Sequence, residues 1–530
     1  MASLGHNRGM RDRTRTWWPS AVGGLAGGAA VTVAGAVVHT LVPAVPFLPI
    51  AIAQVLVRTT PGRFDSFFID RLGHGAKQLA IVGTCIAYLL VAAALGVAIP
   101  WVRRRLGPSA RAAAGPLAFV PLWVASVVLY PSNPQWVGRL AFALITLPLY
   151  LAGGAVAGWA IDRLTPQPAD QPAEAGLSRR YFLRAAWLGA AGMLLGASPL
   201  GSLIFRRPDP GRERLLGVSA TPSPVQVAPQ DAQFARVAGL TREITSNDDF
   251  YVVNEDLIQP DIDPIEWRLS VGGVVDRPFT LNYEDLKSLP VVERYQTLEC
   301  ISNQIGAHLM SNALWTGVPV AVILDRAGVR SSAVEVAFGS AGGYSDSMSV
   351  AKALDETTLI AFGMNDFVLP RAHGFPARVL GVGTYGMKNP KWLTNIEVVD
   401  RPYQGFWEQR GWSKPALVKT TSRIDTPEDG AALSGDVVEI AGVAFCGDEG
   451  ISRVEVSTDG RRTWNPALLK TALSPYTWRL WLYRWTPPGP GQYSVFVRAY
   501  DGTGAVQTRV EAPPFPTGAS GLDGITVTVA

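Results

Sequence analysis

The feature that most constrains this chain is the confinement of its long apolar runs to the first 204 of 530 residues. A bilayer core about 30 Å thick is crossed by about 20 helical residues, each rising about 1.5 Å. Five stretches meet that length: Ala21 to Val42, Gln78 to Trp101, Ala112 to Tyr130, Trp136 to Ile161 and Tyr181 to Ile204. The first is rich in Gly and Ala, as close helix contact in lipid favours. A sixth run, Ala44 to Val57, is short and broken by prolines, which predicts an interfacial or re-entrant segment. Charge divides the chain at the same place. Residues 1–204 hold 17 Lys and Arg against 6 Asp and Glu, and residues 205–530 hold 30 against 37, so the net charge of +4 averages a +11 half and a −7 half. A mildly basic total therefore gives no reason to expect a nucleic-acid partner.

Basic flanks set the expected orientation, because Lys and Arg are retained on the cytoplasmic side. Arg8, Arg11, Arg13 and Arg15 precede the first span, Arg103 to Arg105 and Arg111 follow the second, and Arg163, Arg179, Arg180 and Arg184 lie between the fourth and fifth. With the N-terminus inside, five crossings leave residues 205–530 on the exterior side of a multi-pass membrane protein. The segment Ser178-Arg179-Arg180-Tyr181-Phe182-Leu183-Arg184 resembles a twin-arginine export signal, with Arg in place of the final Lys. No A-x-A cleavage site follows it, so the fifth span is expected to stay as an anchor. His39 and His74 could share the outer side, yet haem is not expected there. No C-x-x-C-H occurs, which excludes covalent haem of the c type.

After a proline-rich stretch at 205–234, which reads as an extended tether, two further units are expected. In residues 235–412, strand-like runs such as Trp267 to Val271, Arg294 to Leu298, Val334 to Phe338 and Arg378 to Val382 alternate with short helices at Tyr283 to Ser288 and Val318 to Ala327, an α+β pattern. Residues 413–530 show short alternating strands at Val437 to Ala444, Ile451 to Ser457, Tyr476 to Trp485 and Tyr493 to Tyr500, separated by Gly and Pro turns. That is the pattern of an all-β sandwich. Cys446 in this unit reads as a small buried hydrophobe.

The middle unit has one cysteine, Cys300, at the end of a predicted strand. A lone thiol there is a core residue, a nucleophile with His308 or His373 as base, or a metal ligand. Zinc is disfavoured, since the unit's Cys and His lack zinc-site spacing. Downstream, His373-Gly374-Phe375-Pro376-Ala377-Arg378 and then Lys391 place three nitrogen side chains in one Gly- and Pro-rich region, an arrangement able to hold a phosphate. Gly381, Gly383 and Gly386 are expected to let backbone approach that ligand closely.

Together these motifs resemble the sulfite oxidase family of molybdopterin enzymes over about Asn247 to Val527. The matching residues are Asn254 in Phe250-Tyr251-Val252-Val253-Asn254, Cys300 with Asn303 behind it, Met364-Asn365, the run from His373 to Arg378 and Lys391-Trp392-Leu393. The segment Val454 to Trp464 is similar to the family's C-terminal immunoglobulin-like domain. The resemblance implies a molybdenum atom on one molybdopterin, with Cys300 as its protein ligand. It implies His373, Arg378 and Lys391 at the cofactor's phosphate, Asn254 near the pterin and Tyr403 as the catalytic phenol beside the metal. It also implies a separate electron partner, a cytochrome or a quinone system, and leaves open a homodimer formed through the sandwich.

The departures matter as much. Where sulfite oxidases carry arginine just before the residue matching Asn254 this chain has Val253, and after Asn303 it has Gln304 and Ile305. Each charge-assisted hydrogen bond is worth about 1.5 to 3 kcal/mol, so a dianion such as sulfite is disfavoured and a neutral oxygen-atom donor or acceptor is expected. The competing reading is a degenerate membrane-anchored binding or assembly module without catalysis. A transporter is less in keeping with spans that show no repeat and few charges.

Overall fold

The computed structural model describes residues 17–42, 45–61, 75–130, 137–165 and 208–530, apart from 223–224, 226 and 257–258. These fall into two compact units that divide near residue 207. The stretch Tyr181 to Ile204 expected as a fifth span, the twin-arginine-like motif and His74 lie outside the described residues.

The first unit is helical: α1 (Trp17–Leu41), α2 (Leu48–Thr59), α3 (Gly75–Arg105), α4 (Ala114–Val128) and α5 (Arg139–Leu164). Four helices, spanning Trp17–His39, Leu79–Arg105, Pro108–Val128 and Arg139–Leu164, are long and apolar enough to cross a membrane. Their outward faces carry Leu90, Leu140 and Leu144, all more than 60% exposed, a surface suited to lipid rather than water. Glycine sets how closely the helices approach. A methyl group at Gly24 would collide with backbone of Ala92 in α3, and one at Gly27 with the Gly153 carbonyl in α5. The proline-broken run forms the 12-residue helix α2, too short to span, whose Ala51 and Ala53 are buried.

The second unit begins with two sheets. The first sheet contains β1 (Ala220–Thr221), β4 (Val291–Glu299), β5 (Met310–Pro319), β8 (Leu359–Met364) and β10 (Arg378–Leu380) in that order, with β9 (Phe367–Val368) paired to β8. The second runs β3 (Phe279–Leu281), β2 (Leu269–Gly273), β11 (Leu393–Val399), β6 (Glu335–Ser340), β7 (Ser345–Ser349). Antiparallel pairs predominate, with β1–β4 and β2–β11 parallel. Val318 and Phe362 of the first sheet, Val271, Phe338 and Ile396 of the second, and Ile323 and Leu324 of the helix Val320–Ala327 close one core.

Two more sheets follow. One orders β12 (Thr421–Thr426), β14 (Val438–Phe445), β18 (Arg479–Trp485), β17 (Leu468–Leu469). The other orders β13 (Ala432–Leu433), β20 (Gly524–Val529), β19 (Gly491–Asp501), β15 (Ile451–Ser457), β16 (Asn465–Pro466). Ile440 and Trp481 from one and Val454, Val497 and Val527 from the other share a core, which makes a sandwich. Cys446 is buried, its Sγ 3.1 Å from the Thr420 hydroxyl.

The sandwich is fastened to β4. The Thr297 amide donates to the Tyr476 carbonyl at 3.0 Å, and the Trp478 amide to the Thr297 hydroxyl at 2.9 Å. Residues 208–236 differ from the expected free tether. Ala220 and Thr221 pair with Val291 and Val292, the Leu215 amide donates to the Asp366 carbonyl at 2.9 Å, and the Arg371 amide donates to the Asp209 carboxylate at 3.0 Å. Prolines leave few amides to satisfy, so such a segment docks by a handful of bonds without any apolar period.

Candidate active site

Strand β4 carries the chain to Cys300 and ends there because the backbone turns. The Cys300 amide donates to the Leu309 carbonyl, and the Cys300 carbonyl accepts from the Asn303 amide, both at 2.9 Å. Asn303 clamps this turn: its side-chain amide donates to Glu299 at 2.9 Å and its oxygen accepts from the Leu309 amide at 2.9 Å. Burial pushes the Glu299 carboxyl up to about 7. The Cys300 sulfur lies 3.0 Å from the Ser302 hydroxyl.

The three nitrogen side chains converge as the sequence pattern implies. Gly374 makes that convergence work, with φ +117 and the space where a Cβ would sit only 3.0 to 3.2 Å from atoms of Lys391 and Arg378. His373 Nε2 lies 3.0 Å from the Asn247 carbonyl, and the Phe250 ring meets the imidazole edge to face at 5.2 Å. Burial lowers its pKa to about 4, so the cofactor-free imidazole is neutral at pH 7. Arg378, at the start of β10, donates to the carbonyls of His373 at 3.1 Å and Asn389 at 3.4 Å. Its Nε is buried with no hydrogen-bond partner, and burial lowers its pKa to about 10, which leaves it charged. Lys391 Nζ donates to the carbonyls of Val253 at 3.0 Å and Ala372 at 3.1 Å, and to the Asn254 side chain.

One pocket, with about 820 Å³ of open space, joins these groups: Cys300, His373, Arg378 and Lys391 all line it. Asn254 does not line it and reaches it through Lys391. Tyr403 is not in the lining either; its phenol donates to Ser345 Oγ at 2.7 Å. The next residue back, Tyr344, does line the pocket, with its hydroxyl on the Met387 carbonyl at 2.5 Å. Of the three glycines expected at the ligand, Gly386 lines the pocket, whereas Gly383 packs on Asp448 and Gly381 on Thr384 and Met348. Of the three positions that lack the family's arginines, only Val253 is in the lining.

Sequence reasoning missed Tyr344, Trp407 and Trp412, which wall the same pocket. The aromatic density of residues 403–412 was the available signal. Behind them Lys388 pairs in the interior with Asp346 at 2.7 Å and with Glu408, and burial holds the Asp346 carboxyl above its usual range.

A buried guanidinium with a spare N–H calls for an anion, and a thiol opening into the same roomy pocket suits a soft metal, so the residues fit a phosphate-bearing metal cofactor. Residues 256–407 match the oxidoreductase molybdopterin binding domain. The uncharacterized oxidoreductase YuiH of Bacillus subtilis is 33% identical over 150 residues, which cover 28% of this chain and 74% of that protein.

The chain belongs to the molybdopterin-binding oxidoreductase family.

Its cofactor is molybdenum held by molybdopterin. Human mitochondrial sulfite oxidase is 30% identical over 320 residues, 51% of this chain and 58% of that protein. The Drosophila melanogaster enzyme is 33% identical over 290 residues, 45% and 50%. The chain thus spans about half the length of these curated relatives. The fold is shared with the sulfane dehydrogenase SoxCD of Paracoccus pantotrophus, at TM-score 0.50 and 22% identity over 59% of this chain and 87% of that one.

Proposed function

We propose that the chain is a membrane-anchored molybdenum enzyme moving an oxygen atom to or from a small neutral molecule, with its catalytic part on the exterior side. The observation that carries this reading is that Cys300, two deeply placed cations and a mostly apolar wall share one pocket. When bound, the cofactor supplies oxygen-atom transfer with a two-electron change. Cys300 Sγ is the metal ligand. The Cys300–Asn303 turn and the Asn303 bond to Leu309 fix its direction, which is how surrounding bonds tune a metal site. Arg378, Lys391 and His373 hold the phosphate, and Asn254 aligns Lys391.

With those cations engaged by the cofactor, the lining left for substrate includes Val253, Ile301, Tyr344, Met387, Trp407 and Trp412, beside the acid Glu255, and holds no other Lys, Arg or His. A dianion finds no further cation in that lining, whereas a neutral sulfur or nitrogen oxide finds aromatic faces and hydroxyls. The C-terminal sandwich is assigned an immunoglobulin-like, structural role. Support for the anchor comes from the four long apolar helices, and for the exterior site from the arginine flanks.

The test is a turnover screen of the full chain with a dye as electron partner, setting sulfite against sulfoxides and N-oxides. Neutral organic substrates are expected to exceed sulfite by at least about tenfold in kcat/KM; sulfite turning over best would overturn the assignment. Cys300→Ser is expected to abolish turnover, and unchanged activity without the thiol would remove the ligand assignment.

A further inference from the structure

Within the helical unit a cavity with about 400 Å³ of open space lies among α1, α3 and α5, walled also by residues 45–49 that lead into α2. No charged side chain lines it. The hydroxyls of Thr32 and Thr146 in its wall are taken by the helix carbonyls of Gly28 at 2.8 Å and Phe142 at 2.7 Å. Two phenols remain. Tyr88 and Tyr150 line the cavity at 5% and 3% exposure; their hydroxyls face each other, with Ser126 beside that of Tyr150, but neither closes a hydrogen bond of normal geometry. A buried hydroxyl left so costs about 1 to 3 kcal/mol, and a lipid-facing bundle has little water to relieve it. Space here is preserved by Gly35, where an added Cβ would meet only the Phe47 ring at 3.9 Å.

We propose that this cavity binds the ring of a membrane quinone, with a ring carbonyl accepting from Tyr88 or Tyr150 and the ring face against the aliphatic and aromatic wall. An acyl chain has no acceptor for the phenols, and a phosphate headgroup would bring a charge that no lining side chain neutralises. A flat apolar ring with carbonyl oxygens meets both conditions. Its functional sense rests on the oxygen-transfer reading above. In the oxidising direction substrate, water and quinone give oxygenated substrate and quinol. The oxygen comes from water, and water's two protons and the substrate's two electrons end on the ring.

The experiment uses the full chain in lipid nanodiscs and decylubiquinone, with binding followed by calorimetry on protein made with and without molybdate. Saturable binding is expected in both preparations. Tyr88→Phe combined with Tyr150→Phe should weaken it by about tenfold, given the usual worth of one neutral hydrogen bond whichever phenol makes it. Gly35→Leu should abolish it by filling the cavity, while Gly83→Leu, where nothing lies within 4 Å of the added Cβ, should leave it unchanged. Thermal melting checks that each variant folds. Dye-linked turnover without saturable quinone binding, binding that survives Gly35→Leu, or a co-purified acyl lipid that quinone does not displace would each overturn this inference. Quinone binding by a protein that lacks dye-linked turnover would instead overturn the catalytic reading and leave this one standing.

Discussion

Arg378 shows how much an isolated side chain reveals about its ligand. Each terminal nitrogen donates one bond to a carbonyl, the Trp315 ring lies 5.3 Å from the guanidinium, no carboxylate among the described residues pairs with its charge, and the Nε–H has no partner. Arg378→Met is expected to remove an uncompensated buried charge, so the cofactor-free protein should keep or gain stability in urea while molybdenum content of the purified protein falls. His373 gives a pH signature. Its folded pKa of about 4 lies below the ordinary 6.5, so the unfolded chain binds more protons between those values and stability falls as pH drops from 6.5 toward 4. Thermal melts of cofactor-free protein should show this acid limb, worth up to about 3 kcal/mol, and His373→Gln should flatten it. An imidazole whose Nε2 serves the Asn247 carbonyl donates to an anion only after Nδ1 takes a proton, so cofactor binding should tighten as pH falls. For the phenols, Tyr344→Phe and Tyr403→Phe compared by kcat and KM decide which one reaches the substrate. Loss confined to Tyr344→Phe would remove the role the resemblance gives Tyr403. These histidine, arginine and lysine positions were legible because they sit within 20 residues of one another. Tyr344 and Trp412 were not, because only the sheets bring them to Cys300.

At the scale of elements, the turn after β4 and the turn at Gly374 do the positioning. Gly374→Ala forces a Cβ against Lys391 and Arg378 at a φ that side chains avoid, and should cost about 1 to 3 kcal/mol in urea unfolding. Asn303→Leu removes the partner of a buried carboxyl and one tie on the Cys300 loop, with a similar expected cost. Strand positions were readable from alternation and β-branched residues, as in Ile451–Ser457, which falls where the pattern put it. The docking of residues 208–236 was not readable. A proline-rich segment has the same composition whether its few amides find partners or not, and Asp209 meeting Arg371 is a contact across 162 positions.

At the scale of the whole second unit, the sandwich is part of the site's support. Trp412 of the pocket stacks edge to face on Phe515 at 5.2 Å, and Phe234, Val237 and Met310 share an apolar cluster with Val443, Phe445 and Trp478. Removing residues 413–530 should therefore expose that cluster and give aggregates in size-exclusion chromatography rather than a smaller active enzyme. The sequence marked the sandwich as a separate unit because its strand spacing changes there, and spacing carries no record of which faces meet. The enclosure of Arg378 also has a bearing on time. Arg378 is 5% exposed yet lines the open pocket, so a phosphate reaches it through the mouth and, once paired with a charge held away from water, leaves slowly. The loaded protein then outlasts the supply of its cofactor.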